Sequence, residues 1–409
     1  MIQALTPQLE DAIRKLKGAD YLIGIPSYNN AGTIGHVLLK VAEGLSKFFP
    51  NQKNVIIISD GGSTDGTREI ASSLKLRGEI KKFVTLYKGV SGKGSAVRLI
   101  FEAAQILNVR GVALLDADLR SIKTEWIKLL LKPLERDEGL VTPLYRRYKY
   151  DGTITNLIIY PFTRAIYGIR VRQPIGGEFG ISRALIERLL ASPLWDNPYT
   201  PRFGIDVFIT HTAIALKFHV VEAWLGVKIH DAKDPTKHLA PMFRQVVGSM
   251  FSIMELYESR WRSIKGSCPV PVVKNQFKIQ EPNPFTVDIA APIKTFKEEF
   301  AKYSSLYKSI MSINLYNELV FQAKRDKMDI SIPADTWAKV AYTFAAAFKK
   351  EKQQEKRELM LDALRLCWNG RIGTFMQETF NMTEEQAEEK ILQEAKTFEE
   401  LKPYLIEIY

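Results

Sequence analysis

From Tyr21 onward the chain alternates between short unbroken apolar runs and longer stretches with a helical period. YLIGIP (21–26), VIIIS (55–59), KFVTLYK (82–88) and GVALLDAD (111–118) read as strands. TIGHVLLKVAEGLSKFF (33–49), TDGTREIASSLKLRG (64–78) and residues 94–107 read as the helices between them, and 124–134 as the helix after the fourth. Unbroken β-branched runs joined by helices of about 10–15 residues imply a mainly parallel sheet covered on both faces. Each run ends in a polar loop rich in Gly, Asn or Asp: PSYNN, SDGGSTDGT, YKGVSGKGS and DADLRS. Ligands of such sheets gather outside the carboxyl ends of the strands, so one edge is expected to collect the chemistry.

The stretch 140–235 continues this α/β domain with less regular order. GLVTPLYRR (139–147), GGEFGISR (176–183) and HVVEAWLGVKI (219–229) read as strands, and 199–216 as a helix. Residues 240–263 are helical in period. SCPVPVVKNQFKIQEPNPFTVD (267–288) is rich in proline and reads as a linker or wrapping arm. From Ile289 to Tyr409 the period is helical throughout, with SIPADTW and NMTEEQ as starts of helices. The expected organisation is a catalytic domain over 1–235, a helix and arm over 236–288, and a helical region over 289–409.

Composition narrows the class. Of 409 residues 46% are apolar and 25% charged, a globular balance. The two cysteines, Cys268 and Cys367, are far apart in sequence, which argues against a disulfide framework or zinc site and suits a reducing cytoplasm. The formal net charge is +11, but no run of five or more Lys/Arg occurs. That pattern argues against nucleic acid and suits either small anionic substrates or a solvated surface. No apolar stretch is long and uncharged enough to predict a spanning helix.

The first candidate chemistry is the carboxylate pair Asp116 and Asp118, at the end of a buried run. Hard oxygens so placed suit Mg²⁺ or Mn²⁺ bridging to a diphosphate. In SDGGSTDGT, Asp60 can accept a hydrogen bond from a base or ribose, and Gly61 and Gly62 allow close approach of a ligand. GVSGKGSAVR (89–98) is a glycine loop before a helix, expected to bind an anion through its N–H groups, with Lys93 as a point charge.

A strand followed by P-x-Y-N, then DGGSTDGT, GKGSA and DADL in this order, resembles the nucleotide-binding half of the GT-A glycosyltransferases over roughly residues 20–235. The resemblance implies a Rossmann-like sheet with helices on both faces. It also implies a nucleoside diphosphate sugar held by Pro26, Tyr28, Asn30, Asp60, Lys93, Asp116 and Ala117, with Asp118 on the metal. YGIRVRQPIGGEFGISR (167–183), FGIDV (203–207) and GVKIHDAKD (226–234) look like the retaining glucosyl-3-phosphoglycerate synthases, with mannosylglycerate and glucosylglycerate synthases as near relatives. In that family a histidine after the last strand completes the metal site, here His230.

The resemblance further implies donor or acceptor contacts from Gly176, Gly177 and Glu178, and a sugar or acceptor role for Asp206. Arg170 and Arg172 are candidates for a small anionic acceptor, because guanidinium forks suit carboxylate and phosphate. The expected activity is metal-dependent, retaining transfer of a hexose, glucose favoured, to 3-phosphoglycerate or glycerate for compatible-solute synthesis. A cytoplasmic homodimer is expected, without nucleic-acid partners. The alternatives are an inverting transferase acting on a polyprenyl phosphate at a membrane, and a non-catalytic sugar-nucleotide-binding or scaffold protein.

Overall fold

The computed structural model describes residues 4–409 except 77, 137, 230–234, 276, 278–280, 283 and 327, and it leaves the side chains of 235–238 undescribed. The chain divides into two compact units. The first comprises Met1–Arg146, Gln173–Lys233 and Val270–Pro282, the second Arg147–Arg172, Asp234–Pro269 and Asn283–Tyr409. This is not the simple succession expected, because 147–172 leaves the sheet unit and joins the helices.

The first unit is built on eight strands: β1 (Tyr21–Ser27), β2 (Asn54–Asp60), β3 (Lys81–Leu86), β4 (Gly111–Leu114), β5 (Leu140–Arg146), β6 (Phe179–Ser182), β7 (Val220–Val227) and β8 (Val272–Val273). Their order across the sheet is β8-β7-β5-β6-β4-β1-β2-β3. All neighbours run parallel except β6, which is antiparallel to β4 and β5. Every residue of β2 and β4 is buried, as unbroken apolar runs require when helices cover both faces. The core gathers Ile23, Ile25, Ile56 and Ile58 with Val37, Val41 and Trp126 from the flanking helices. β8 comes from the proline-rich arm, which therefore wraps back to lengthen the sheet beside β7.

One consequence of the topology positions the site. The parallel strands β1, β2, β4, β5 and β7 end at the same edge. Because β6 runs the other way, its beginning lies at that edge too. Glu178, immediately before β6, thus joins residues that follow β4 and β7.

The second unit is helical. Its helices include Tyr160–Tyr167, Pro235–Leu256, Ile313–Lys324, Ala334–Lys350, Gln354–Thr379, Glu384–Glu400 and Lys402–Ile408. Phe162 packs edge-on to Tyr342, with Phe251 and Phe398 completing the cluster. This is why 147–172 belongs here: the aromatic face of its helix is buried among the later helices. NMTEEQ starts its helix as expected, with a reciprocal capping box between Thr383 and Gln386. SIPADTW does not supply a side-chain cap; its helix begins after Pro333. Among the described residues no helix is long and apolar enough to cross a membrane.

Candidate active site

The loops after β1 and β2 are sewn together by short polar side chains. The Asn29 N–H donates to Ser63 Oγ (2.8 Å), Asn30 N–H to Thr67 Oγ1 (2.7 Å) and Ala31 N–H to Asp65 Oδ2 (2.9 Å). Asn29 tolerates its left-handed backbone, at φ 55°, and its side-chain oxygen accepts from the Thr64 N–H. Asp60 is buried at the centre. Its Oδ1 accepts from the N–H groups of Gly62 (2.9 Å) and Ser63 (2.7 Å), and its Oδ2 from the hydroxyls of Ser27 (2.7 Å) and Ser63 (2.6 Å). The carboxylate expected to meet a nucleoside thus has its acceptor positions taken within the loop, where it acts as an organiser. Beside it Tyr28 is 64% exposed. A Cβ on Gly61 would lie 3.3 Å from both the Tyr28 ring and Tyr87 Oη, so this glycine leaves a narrow space between two aromatic side chains.

The glycine loop differs from expectation. The Gly94 and Ser95 N–H groups, at the start of the helix Lys93–Leu107, donate to the carbonyls of Arg202 (3.1 Å) and Pro201 (2.9 Å), and Gly92 N–H to Tyr87 Oη (2.9 Å). A Cβ on Gly94 would collide with the Thr200 carbonyl. The glycines allow backbone to dock on backbone, and these three N–H groups face protein rather than an anion. The docking has a purpose: it brings Lys93 against the following helix, Ile205–Ala215, whose first turn carries Asp206.

Five charged side chains meet at the sheet edge. Lys93 Nζ lies 2.8 Å from Asp116 Oδ1 and 3.1 Å from Asp206 Oδ2. Lys228 Nζ lies 2.9 Å from Glu178 Oε2 and 3.6 Å from Asp116 Oδ2, and donates to the Gly176 carbonyl at 2.8 Å. The Tyr145 hydroxyl donates to Glu178 Oε2 at 2.6 Å. Gly177, at φ +94°, seats its backbone so close to Asp116 that a Cβ would stand 2.4 Å from Oδ2.

Burial and mutual charge set the electrostatics. Burial lowers the affinity of Lys93 for its proton, but Asp116 and Asp206 outweigh that and hold it above the ordinary lysine value. Burial pushes Asp206 up, opposed by Lys93. Burial raises Glu178 to about 7, against the pull of Lys228 and with the push of Asp116. Paired titrating groups with displaced affinities at a strand-end cleft are a mark of a functional site.

Of the two metal ligands expected, only Asp118 lies within the described residues. Asp118 is half-buried two residues beyond Asp116. The Arg120 N–H donates to the Ile229 carbonyl (3.0 Å) and the Ile229 N–H to Ser121 Oγ (2.9 Å), so the chain beyond β7 runs along the D-x-D loop. His230, the next residue, lies outside the described residues. Among those described, no group of three or more His, Cys, Asp or Glu could hold a metal ion. The Ala117 carbonyl accepts from Thr33 Oγ1 (2.7 Å), tying this loop to the one after β1, which includes Pro26 at the end of its strand.

Arg170 and Arg172 are placed in the second unit. Arg172 forms a bidentate pair with Glu388 (2.6 and 2.7 Å), and its guanidinium lies over the Tyr160 ring. That is the geometry of a structural fastening within the helices. Sequence reasoning missed Lys228 and Tyr145. Lys228 stood inside the GVKIHDAKD stretch, but a lysine closing a strand carries no pattern of its own.

Residues 22–190 match the family model described as Glycosyl transferase family 2. With that domain, the eight-stranded sheet is the GT-A fold, accompanied by a helical C-terminal region. No curated protein matches the chain. Similar solved structures include glucosyl-3-phosphoglycerate synthase from Mycobacterium tuberculosis in complex with Mn²⁺, UDP and phosphoglyceric acid, at 22% identity over 62% of this chain and 84% of that one, TM-score 0.46. The same enzyme with Mg²⁺ and UDP gives 22% identity over 61% and 83%, TM-score 0.44. A further mycobacterial protein gives 23% over 61% and 78%, TM-score 0.44.

Proposed function

We propose that this chain, a glycosyltransferase by its family 2 domain, moves a hexose from a nucleoside diphosphate sugar to 3-phosphoglycerate or glycerate, with retention at the anomeric carbon. Glucose is the favoured hexose, and the product is a compatible solute or its phosphorylated precursor. The observation that carries the reading is the convergence of Lys93, Asp116 and Asp206 at the carboxyl edge of the sheet. Three carboxyl groups, Asp116, Asp206 and Glu178, face two ammonium groups there, and Asp118 stands two positions beyond Asp116. Hard oxygens so gathered suit a divalent cation.

The donor chemistry fits Mg²⁺ or Mn²⁺: Asp118 and His230 would hold it, since the Asp116 oxygens face lysines. When bound, the cation offsets charge on the departing diphosphate. The protein's own residues do the rest. Tyr28 offers an exposed ring for the base. Lys93 supplies a positive charge for the donor and orients Asp116 and Asp206 toward sugar hydroxyls. Asp206 Oδ1 is buried with no hydrogen-bond partner among the described residues, a deficit that a sugar hydroxyl would fill. Its Oδ2 is occupied by Lys93, which suits a positioning group better than a general base. In the transfer, the bond from C1 to the diphosphate oxygen breaks and the bond from C1 to the acceptor oxygen forms on the same face. The acceptor's proton passes to the departing diphosphate. The anionic acceptor rests on the resemblance of the 167–183, 203–207 and 226–234 stretches. A cytoplasmic homodimer joined through the helical region goes with this reading, and sedimentation checks it.

The test crosses UDP- and GDP-glucose and -mannose with glycerate and 3-phosphoglycerate in Mg²⁺, with and without EDTA. Transfer that retains configuration and stops in EDTA supports the proposal. Full activity in EDTA, or an inverted product, overturns it.

A further inference from the structure

Lys228 is the cation that the sequence did not single out. Its side chain is only 5% exposed, and that of Glu178 is fully buried. Four adjacent strands of the sheet, β7, β5, β6 and β4, deliver the groups around it. Lys228 follows β7, Tyr145 lies in β5, Glu178 precedes β6 and Asp116 follows β4. The ammonium donates to the Gly176 carbonyl and to both Glu178 oxygens, at 2.8, 3.0 and 2.9 Å. A lysine has three protons to give, so these bonds engage them. The Tyr145 ring lies 5.4 Å from the ammonium, and its hydroxyl completes Glu178.

Asp116 then stands between two lysines with different duties. Its Oδ1 meets Lys93, which is also in contact with Asp206. Its Oδ2 meets the Gly177 backbone and, at 3.6 Å, Lys228. Lys93 opens the helix that follows the glycine loop, whereas Lys228 is locked among strand ends. We infer that Lys228 is a positioning residue for the transfer: it fixes Glu178 and the Gly176–Gly177 turn, and through them the orientation of the Asp116 carboxylate toward the donor sugar. This rests on the proposed transfer reaction. Lys228 is too enclosed to touch substrate, so its effect belongs in the rate of the bound complex rather than in donor affinity.

The experiment uses the full-length chain and the best donor and acceptor pair from the activity screen. Lys228→Met is expected to lower kcat about 100-fold, the cost of a carboxylate displaced by about 1 Å, while KM for the sugar nucleotide stays within about threefold. Lys228→Met alone leaves Glu178 buried without its cation and can fail to fold. The double variant K228M/E178Q removes that unpaired charge and is compared with E178Q, which keeps the Lys228–Asp116 contact. The double is expected to melt near E178Q and to fall at least about tenfold below it in kcat. Equal kcat values for the two, or a folded K228M within about threefold of wild type, overturn the inference alone. A wild type inactive with every donor overturns the transfer reading, and this inference with it.

Discussion

The charged cluster at the sheet edge and the more buried ion pairs of the helical unit use different basic side chains. At the sheet edge, two lysines meet three carboxylates through single ammonium groups. In the helical unit, carboxylates are fastened by arginines: Arg371 to Glu394 and Glu378, Arg172 to Glu388, Arg164 to Glu399, Arg244 to Asp362. Some lysines there, such as Lys349 with Glu258 (2.6 Å), also pair with carboxylates, but others turn to backbone carbonyls. Lys149 donates to Thr379, Phe380 and Met382 at a helix end, Lys297 to Arg325, Asp326 and Asp329, and Lys402 to Ile166, Trp261 and Ile264. Lys82 does the same in the sheet unit, with Ala71, Ser72 and Leu74.

The difference follows from the two cations. A guanidinium fork matches a carboxylate in a fixed plane, so it suits a contact that never changes. An ammonium is a point charge that can exchange one oxygen for another. Helix-end carbonyls carry partial negative charge and accept such a cation without a counter-ion. Much of the basic excess thus has structural employment, and net charge alone was a poor guide to the ligand. What distinguishes a functional lysine here is a carboxylate partner at the carboxyl ends of strands.

The largest expected effect is at Lys93. Lys93→Met leaves Asp116 and Asp206 facing one another without the cation between them. Transfer should fall by roughly 10²–10³-fold or more, as for removal of a main electrostatic group. Assay of the purified variant, with circular dichroism to confirm folding, checks it; retention of most of the activity would erase the contrast between exchangeable and fixed cations. Arg371 probes the other side. Its side chain and that of Glu394 are fully buried, so Arg371→Leu strands a charge at a cost of about 3–5 kcal/mol. The melting temperature should drop by on the order of 10 °C. The kcat measured below the transition should be that of wild type. A loss of kcat without loss of stability would place Arg371 in the chemistry and break the comparison.

These contrasts mark what could be read in advance. The apolar runs and the polar loops that end them located β1, β2 and β4, and with them Tyr28, Asp60, Asp116 and Asp118, because strand burial is written locally. The direction of β6 was not legible, since period-2 patterning is the same both ways along a strand. That direction is what carries Glu178 to the site. Arg172 looked like an anion ligand because its partner Glu388 is 216 positions away. The N–H groups of the glycine loop looked available because the carbonyls of Arg202 and Pro201 that fill two of them come from another loop. Lys228 was hidden for the same reason: its meaning lies in Glu178 and Asp116, which reach it only through the order of the sheet.

The finest test of the comparison is the pH dependence of Glu178. Its carboxyl is buried and raised to about 7 from an ordinary 4.5, chiefly by burial, with Lys228 opposing. Between those two values the folded chain keeps a proton that the unfolded chain has released. Stability must therefore fall as pH rises from 4.5 through 7 and level off above, the reverse of an ordinary paired carboxylate. At about 1.4 kcal/mol per unit, the change is on the order of 3 kcal/mol. Urea unfolding of wild type and Glu178→Gln at pH 5, 6, 7 and 8 isolates it, because every other group is common to both chains. The wild type should lose stability relative to the variant across this range. Parallel curves would mean that Lys228 keeps Glu178 ionised throughout, as firmly as an arginine fork would, and the distinction between exchangeable ammonium and fixed guanidinium would no longer separate the sheet-edge cluster from the buried pairs of the helical unit.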